Sequence, residues 1–426
     1  MPLYDRGVSG FSKRTGWDTG ESSYAAAVRE ARVAAQRSGE RLWDLTVSNP
    51  TKCGFDYDAE ALLRPLMDAR ALVYEPDPRG MMGAREAVAR YYAGHGAGSG
   101  EGISPDDLVL TTSTSEGYSF LFRLLCDAGD EVLVPQPSYP LFDFLADLDD
   151  VQLKSYPLFY DPGDRRWWID RAQLEAAIGP RTRAVMVVHP NNPTGHWTGA
   201  GERAWLEEMC ARRGLALIVD EVFLDYPLNE GPLSAEMGKS FVTGEHSVLT
   251  FVLSGLSKIA GLPQMKAAWI AALGPEEARR EALARLEVVA DTFLSMSAPI
   301  QLAMVSWLEG CGRLQGQIRA RAQANYAALK RLETEHPESM QVLEADAGWS
   351  AVVGLRGWPR EGDLAEWLVR ERGVVVHPGG FYGMGERGRV VVSLIGPAGE
   401  LEEGMQRAIG EISTGGKVRG LHEPEE

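Results

Sequence analysis

Lys258 is the residue of this sequence with the clearest capacity for chemistry. It lies in the Gly/Ser-rich segment Ser254–Lys266, SGLSKIAGLPQMK, directly after the apolar run Val248–Leu253. A lysine in such a place can be desolvated, and a desolvated amine is a nucleophile towards carbonyl groups. Because an isolated lysine is more often a solvated surface residue, the interpretation depends on the residues that accompany it.

Asp220 and Asn192 lie upstream of Lys258, where an acid and an amide could serve a bound ligand. Asp220 closes the apolar run Leu215–Val219, and Asn192 belongs to the NNPTG segment after the predicted strand Ala184–Val188. Ligands of open α/β sheets gather at the carboxyl ends of strands. Each feature alone has a plainer explanation as a helix cap or a turn. An amine, an acid for a pyridine nitrogen and a donor for a ring oxygen are together what a pyridoxal 5′-phosphate (PLP) site requires.

Two further segments follow predicted strands and could hold a phosphate and a ring. Ser113, Thr114 and Ser115 precede a helix predicted to begin near Ser115. A helix N-terminus offers N–H groups and a positive dipole end to phosphate, and hydroxyls add donors. Ser115 could also act only as the N-cap, and the two roles are compatible. Tyr139, in the PQPSYP segment, could stack on a planar ring or anchor a Pro-rich turn. We expect His189 to be structural.

Composition narrows the class of protein. The chain has 426 residues, 44% of them hydrophobic, which is ample for one large and one smaller domain. Its net charge of −17, without a long basic run, argues against nucleic acid and membrane partners. Four dispersed cysteines predict free thiols in a reducing cytoplasm and no metal site. The N-terminus has no apolar targeting segment, so we expect an intracellular, cytoplasmic protein.

The pattern of apolar runs predicts the α/β class: a large domain with a mostly parallel sheet flanked by helices, plus a smaller α+β domain. The strands predicted for the sheet are Leu108–Thr111, Glu131–Val134, Ala184–Val188, Ala216–Val219, Val248–Val252 and Ala267–Ala271. The helices predicted between them include Ser115–Cys126 and Glu202–Arg213.

The sequence changes character after Gly274. Long helical patterns are followed by short elements, predicted over Pro275–Ala290, Pro299–Glu333, Gly348–Gly354, Leu364–Arg370, Val374–Val376 and Val390–Leu394. We therefore predict four parts: residues 1–60 join the small domain, 61–298 form the large PLP-binding domain, 299–412 form the C-terminal small domain, and 413–426 are a polar flexible tail.

The order and spacing of the motifs resemble the fold-type I PLP-dependent aminotransferases of class I/II. The resemblance extends from about Leu45 to Leu394. It rests on the segments SNPT, YEPDPRG, STSEG, PSYP, NNPTG, DEVF, SK with GLP, and VVVHPGG. Each segment is a weak signal singly, but their common order is a strong signal for fold and cofactor.

The resemblance implies a role for each residue. Lys258 carries the cofactor covalently and moves a proton at the substrate α-carbon, Asp220 pairs with the pyridine nitrogen, and Asn192 binds the ring oxygen while Tyr139 stacks on the ring. The phosphate is assigned to Ser113, Thr114, Ser115, Ser257 and Lys266, and to Tyr74 of the neighbouring subunit, which implies a homodimer with shared active sites. Ser48 and Arg389 are the substrate candidates.

Three positions around the cofactor depart from the family pattern. Phe223 stands where the family has a tyrosine that donates to the ring oxygen, so we expect a raised pKa of the bound cofactor. Lys266 replaces the phosphate-binding arginine, which keeps the charge and loses the bidentate fork. Gly255 replaces a phosphate-binding serine, a loss for which Ser254 could compensate.

A fourth departure concerns the substrate. Val391 stands where the family has the arginine that grips the substrate carboxylate. Arg389, on the same side of a strand, Arg79 and Lys52 are the alternative cations, and a two-residue shift of alignment restores Arg389 itself. The remaining alternative is a substrate that lacks a free carboxylate or is bound by other groups.

The predicted function is a PLP-dependent aminotransferase that moves an amino group between an amino acid or amine and a keto or aldehyde acceptor. The four substitutions leave open a same-fold C–S β-lyase or decarboxylating deaminase acting on an amino acid conjugate such as a cysteine S-conjugate. A PLP-sensing regulator is a third alternative. It requires an attached DNA-binding module, for which the non-basic N-terminal residues give no support.

Overall fold

The computed structural model describes residues 11–94, 102–229, 239–358, 363–385 and 388–410, so the predicted tail 413–426 lies outside the described residues. Its α-helices are α1 (Ser23–Ser38), α2 (Ala59–Leu63), α3 (Met82–Ala93), α4 (Thr114–Leu125), α5 (Phe142–Leu148), α6 (Arg171–Ala177), α7 (Ala200–Arg213), α8 (Leu256–Ile259), α9 (Glu276–Phe293), α10 (Ala298–Gly310), α11 (Gly312–Glu335), α12 (Leu364–Trp367) and α13 (Glu400–Ile409).

The strands were predicted from short apolar runs, and most of those runs are strands. They are β1 (Trp43–Asp44), β2 (Leu108–Thr111), β3 (Glu131–Gln136), β4 (Gln152–Asp161), β5 (Arg166–Ile169), β6 (Thr182–Val188), β7 (Ala216–Asp220), β8 (Thr250–Gly255), β9 (Ala268–Leu273), β10 (Met340–Val342), β11 (Ser350–Leu355), β12 (Val374–Val375), β13 (His377–Pro378) and β14 (Arg389–Ser393).

The larger sheet has eight strands in the order β2-β9-β8-β7-β6-β3-β4-β5. Strands β2, β8, β7, β6, β3 and β4 run in one direction, and β9 and β5 oppose them. The central strands are buried on both faces: Leu217 and Val219 pack in one core, and Ile218 packs in the other. The sheet is therefore mostly parallel, as predicted. The prediction was possible because strands covered on both faces have continuous apolar sequences.

The hairpin of β4 and β5 was not predicted from the sequence. Buried and exposed side chains alternate along it, so it lacks the continuous apolar run of the central strands. Among the described strands, its outer strand β5 pairs only with β4 and lies at the edge of the sheet.

The smaller sheet has four antiparallel strands in the order β10-β11-β14-β13. Helices α11 and α13 pack with it in one apolar core. The N-terminal part of the chain joins this side of the molecule: Ala27 and Val28 of α1 pack on Val369 and Val375, and β1 pairs with β12. The domain boundaries themselves remain a prediction.

One long helix was predicted incorrectly. The apolar pattern over Pro299–Glu333 was read as a single helix, whereas the structure has α10 and α11 separated at Cys311. Gly310 and Gly312 flank the break, and glycine is a poor helix former because it loses the most backbone entropy. All four cysteines are free, as predicted. Among the described residues, no helix combines the length and apolar character needed to cross a bilayer.

Candidate active site

Lys258 lies on the short helix α8, immediately after β8. Its Nζ is 5.8 Å from the ring centroid of Phe223 and 5.4 Å from that of Trp349. Burial lowers the pKa of the Lys258 amine, and the charge of Asp220 opposes this shift. A lowered pKa increases the neutral, nucleophilic fraction of an amine. The environment therefore suits a lysine that attacks a carbonyl carbon.

Asp220 is the last residue of β7 and is buried. Its Oδ2 accepts a hydrogen bond of 2.7 Å from the Tyr118 hydroxyl, and its Oδ1 accepts one of 3.1 Å from the backbone N–H of Val222. Burial raises the pKa of Asp220, and these hydrogen bonds and the charge of Lys258 oppose the rise. A positive charge close to a buried carboxylate stabilises its ionised form, so a cationic group is favoured next to Asp220.

The sequence did not single out Tyr118. This tyrosine belongs to the buried face of α4, together with Leu121 and Phe122, and such a face is ordinarily core. The one feature of the sequence that could have pointed to Tyr118 is its hydroxyl, because a buried tyrosine hydroxyl normally has a polar partner. Which partner it finds depends on how α4 packs against β7.

Two asparagines in the loop after β6, Asn191 and Asn192, differ in their hydrogen bonding. The side-chain oxygen of Asn191 accepts a 2.8 Å hydrogen bond from the Thr194 hydroxyl and so shapes the turn. The buried Oδ1 of Asn192 has no hydrogen-bond partner among the described residues.

His189 is fully buried, its Nδ1 accepts from the Thr198 N–H at 3.1 Å, and burial lowers its pKa to about 3. It is a neutral structural imidazole, as expected.

The register of the sheet gathers the predicted phosphate residues at one corner. Ala268, at the start of β9, pairs with Gly255 on one side and Thr111 on the other. The start of α4 and the residues Ser257 and Lys266 lie just beyond these pairs. The structure therefore brings the hydroxyl-rich helix start and a cation to the same end of the sheet.

Ser113, not Ser115, is the N-cap of α4, and the helix begins at Thr114. The Ser113 hydroxyl accepts from the Glu116 N–H at 3.1 Å, and the Glu116 carboxylate accepts from the Thr112 N–H at 2.6 Å. This reciprocal cap leaves the hydroxyls of Thr114 and Ser115 without a protein partner in the described part of the chain. They are available to an anion at the helix N-terminus.

Gly255 is required by packing. A Cβ at this position would lie 2.8 Å from the Ala268 Cβ and 2.9 Å from the Ala267 carbonyl oxygen. The phosphate-binding serine of the family is therefore sterically excluded here. The buried hydroxyl of Ser254 has no partner among the residues that the structure describes. Neighbouring strand residues point to opposite faces, so Ser254 does not take the place of a side chain at 255.

We expect Gly255→Ser to destabilise the protein by about 1–3 kcal/mol, the usual cost of overpacking a core. The measurement is the free energy of unfolding in urea, with Gly201→Ser as the matched control because a Cβ at Gly201 meets nothing within 4 Å. Equal stability of the two variants would contradict this account of Gly255.

Tyr139 and Tyr74 occupy different environments. Tyr139 follows β3, lies edge-on to Phe142 with centroids 5.8 Å apart, and is near enough to Asp220 for that charge to contribute to its raised pKa, whose main cause is burial. Tyr74 is 77% exposed and does not enter the site of its own chain. Ser48 is exposed in the segment after β1.

The position expected to hold a substrate-binding arginine is apolar. Val391 is 1% exposed and pairs with Val352 and His377 across the smaller sheet. Arg389 is the first residue of the same strand. Arg79 is engaged elsewhere.

The Arg79 side chain makes two polar contacts near the start of the edge strand β2. It donates to the Asp106 carbonyl at 3.0 Å and pairs with Glu287 at 3.3 Å. Lys52 is exposed in a short turn that follows Asn49. The contacts with Asp106 and Glu287 keep Arg79 from taking the place of an arginine at Val391.

The groups with unused hydrogen-bonding capacity along this edge fit the parts of PLP. The side-chain N–H of Asn192 can donate to a ring oxygen, Thr114 and Ser115 can bind a phosphate, and Asp220 can hold a protonated ring nitrogen. A reactive lysine in this setting, at the carboxyl edge of a mostly parallel sheet, defines the class of fold-type I PLP-dependent enzymes.

Residues 59–407 match the family described as aminotransferase class I and II, and the chain belongs to this family, whose cofactor is PLP. The chain is 25% identical over 283 residues to the glutamate-pyruvate aminotransferase AlaA of Haemophilus influenzae, covering 66% of this chain and 67% of that protein. It is 30% identical over 285 residues to an alanine aminotransferase of Mycobacterium tuberculosis, covering 66% and 62%. It thus spans about two thirds of the length of these relatives.

Solved structures share the fold. An alanine aminotransferase from Pyrococcus furiosus superposes with a TM-score of 0.80 at 23% identity, covering 93% of this chain and 98% of that one. A tyrosine aminotransferase from Leishmania infantum superposes with a TM-score of 0.78 at 20% identity, covering 92% and 98%. These similarities confirm the predicted fold class.

Proposed function

We propose that the protein is an aminotransferase that moves an amino group from an amino acid or related amine to a keto or aldehyde acceptor. The observation that carries the proposal is the position of the Lys258 amine between the rings of Phe223 and Trp349, where the charge of the buried Asp220 acts on it. The matches to glutamate-pyruvate and alanine aminotransferases support an amino acid as the donor. PLP supplies the electron sink that stabilises negative charge at the substrate α-carbon.

The residues of the chain have distinct tasks in this proposal. Lys258 moves a proton to and from the substrate α-carbon, and its lowered pKa allows the neutral amine to act as the base. Asp220 keeps a proton on the ring nitrogen. Asn192 orients the ring by donating its side-chain N–H to the ring oxygen. Thr114 and Ser115 hold the phosphate. The rings of Phe223 and Trp349 exclude water from the Lys258 amine.

The test is an absorbance scan of the purified protein in the near-ultraviolet and visible range while single amino acids are added. We expect one or more donors to change the cofactor spectrum and to release a stoichiometric keto acid. Release of a thiol with pyruvate, or of CO₂, instead indicates the lyase or decarboxylase alternative. A protein that binds no PLP contradicts the whole assignment.

We further propose a homodimer in which Tyr74 reaches the phosphate of the neighbouring subunit. The support is a run of exposed apolar residues beside it: Leu72 is 90% exposed and Val73 is 55% exposed. Such contiguous exposed apolar residues mark an interaction surface. Mixing inactive Lys258→Ala dimers with weakly active Tyr74→Ala dimers should restore activity, because one site of the mixed dimer then has both residues.

Cytoplasmic location stays a prediction from the free cysteines.

We expect Tyr118→Phe to weaken PLP binding by roughly 10- to 150-fold, because a hydrogen bond to a charged carboxylate contributes about 1.5–3 kcal/mol. The substitution removes the hydroxyl that donates a 2.7 Å hydrogen bond to Oδ2 of Asp220. Fluorescence titration of the PLP-free protein measures the effect. Tyr91→Phe is the matched control, because it removes a partly buried tyrosine–aspartate bond, to Asp225 at 2.8 Å. Equal PLP affinity in Tyr118→Phe and the wild type would contradict the role of Tyr118.

A further inference from the structure

Lys258 belongs to a helix that is too short to hold its own position. Helix α8 spans only Leu256–Ile259, a single turn that lies between the end of β8 and a backbone turn at Gly261, where φ is +62°. Closing one helical turn is unfavourable by itself, and the last carbonyls of a helix have no partner within it. The place of the Lys258 backbone is therefore set by groups from outside α8.

Tyr226 contacts α8 through its hydroxyl. The side chain is fully buried, and the hydroxyl donates to the Lys258 carbonyl and lies 3.4 Å from the Ile259 carbonyl oxygen. A hydroxyl has a single proton to donate, so this one is committed to the end of α8. The Tyr226 ring packs against Trp349 with the centroids 5.0 Å apart, and the Lys258 amine lies 5.4 Å from the Trp349 centroid. Tyr226 therefore supports both the backbone and the surroundings of the lysine.

Two further side chains hold the segment that follows Lys258. The Gln315 amide, on α11, donates to the Ile259 carbonyl at 3.2 Å, and the Tyr57 hydroxyl donates to the Gly261 carbonyl at 2.7 Å. Both α11 and Tyr57 pack against the core of the smaller sheet. The lysine helix follows a strand of the larger sheet, but its carbonyl end is anchored to residues that border the other core.

We infer that Tyr226 is a positioning residue for Lys258, and that its hydroxyl keeps the lysine amine where it meets the carbonyl carbon of the cofactor. The inference rests on the proposed function for the task of Lys258 and adds a residue that acts on it through the backbone. An amine that is held in place has a high effective concentration towards its reaction partner. Loss of a restraint lowers that concentration, so that an amine in solution competes better.

The test is competition between Lys258 and methylamine in the PLP-loaded protein. In the exchange, the methylamine nitrogen forms the C=N bond to the cofactor, the C=N bond to Lys258 breaks, and the two N–H protons of methylamine pass to the released lysine amine. Borohydride then reduces both products, and mass spectrometry with peptide mapping gives the fraction of protein that keeps the cofactor on Lys258. The methylamine concentration at half-displacement measures how well the lysine is positioned and needs no amino donor.

The variant Tyr226→Phe keeps the ring beside Trp349 and removes the hydroxyl. We expect half-displacement at a methylamine concentration roughly 3- to 10-fold lower than in the wild type, which is the contribution of a neutral hydrogen bond. Tyr156→Phe is the matched control, because its buried hydroxyl donates to the carbonyl of Met186 in β6 at 2.8 Å. The control should lose comparable stability and keep the wild-type value. A wild-type value in Tyr226→Phe, or an equal decrease in both variants, overturns the inference.

Gln315→Met is a second variant, so the measurement does not depend on the folding of Tyr226→Phe. It removes the donor to the Ile259 carbonyl and keeps the length of the side chain. We expect a decrease in the same direction, roughly 2- to 5-fold, because this carbonyl lies one residue beyond that of Lys258. Half-displacement of Gln315→Met at the wild-type concentration overturns the account of a helix end held by outside donors.

The readouts separate this inference from the proposed function when keto product from single added amino acids is assayed on the same proteins. Displacement that depends on Tyr226, without keto product from any amino acid, contradicts the aminotransferase proposal alone. Keto product together with wild-type displacement in Tyr226→Phe contradicts the inference alone. A wild-type protein with no borohydride label on Lys258 contradicts both.

Discussion

Replacing Lys258 by alanine is expected to lower turnover by at least about 10²- to 10⁴-fold, the range that a positioned acid–base group contributes. The reason is that the substitution removes both the covalent anchor for the cofactor and the group that moves the α-proton. Lys258 is enclosed by Phe223 and Trp349, and Asp220 is near enough for its charge to act on the amine. The measurement is single-turnover release of keto product, with borohydride reduction and peptide mapping to locate the modified lysine.

Two controls make the Lys258 experiment specific. Lys154→Ala removes a lysine that pairs with Glu131 at 2.8 Å near the edge of the large sheet, and it should leave turnover unchanged. A small added amine such as methylamine should restore part of the Lys258→Ala activity by acting as the base in the vacated space. Wild-type turnover in Lys258→Ala, or a borohydride label on a different lysine, would contradict the assignment.

Asp220→Asn has the second largest expected effect. The variant keeps the size of the side chain and its place at the end of β7, but it removes the charge that holds a proton on the ring nitrogen. Breaking a buried charge pair costs about 3–5 kcal/mol. We therefore expect kcat to fall by roughly 10²- to 10⁴-fold. Stopped-flow absorbance with the best amino donor measures the change.

Asp220→Glu and Asp225→Asn are the comparison variants for this result. The glutamate restores the charge in a displaced position and should recover part of the activity. Asp225 is also buried and accepts from the Tyr91 hydroxyl at 2.8 Å, so Asp225→Asn tests whether loss of any buried aspartate charge in this segment has the same effect. Equal loss of kcat in the Asp220 and Asp225 variants would mean that the effect is structural.

Much of the site was predictable because each motif directly follows a strand. Asp220 and Gly255 end neighbouring parallel strands, and Ala268 pairs with both Gly255 and Thr111. Once alternating apolar runs indicate a parallel sheet, their carboxyl ends must meet at one edge, so residues that follow different strands come together. The same logic predicted most of the large sheet from its apolar runs.

Local sequence could not show the contacts made between distant elements. Tyr118 and Asp220 are 102 positions apart and meet only because α4 packs on β7. The need for glycine at Gly255 depends on how closely the neighbouring strand approaches. The break at Cys311 depended on two glycines inside a pattern whose apolar spacing continues across them.

The sequence by itself determined the fold class, the family and the order of the cofactor-binding segments, because these depend on periodicity and on residue types at fixed offsets from strands. Only the tertiary structure decided the environment of the amine. Phe223, Trp349 and Lys258 come from separate segments, and their proximity is set by packing of the two sheets and their helices. Burial, pKa and unused donors are properties of that packing, and no single segment encodes them.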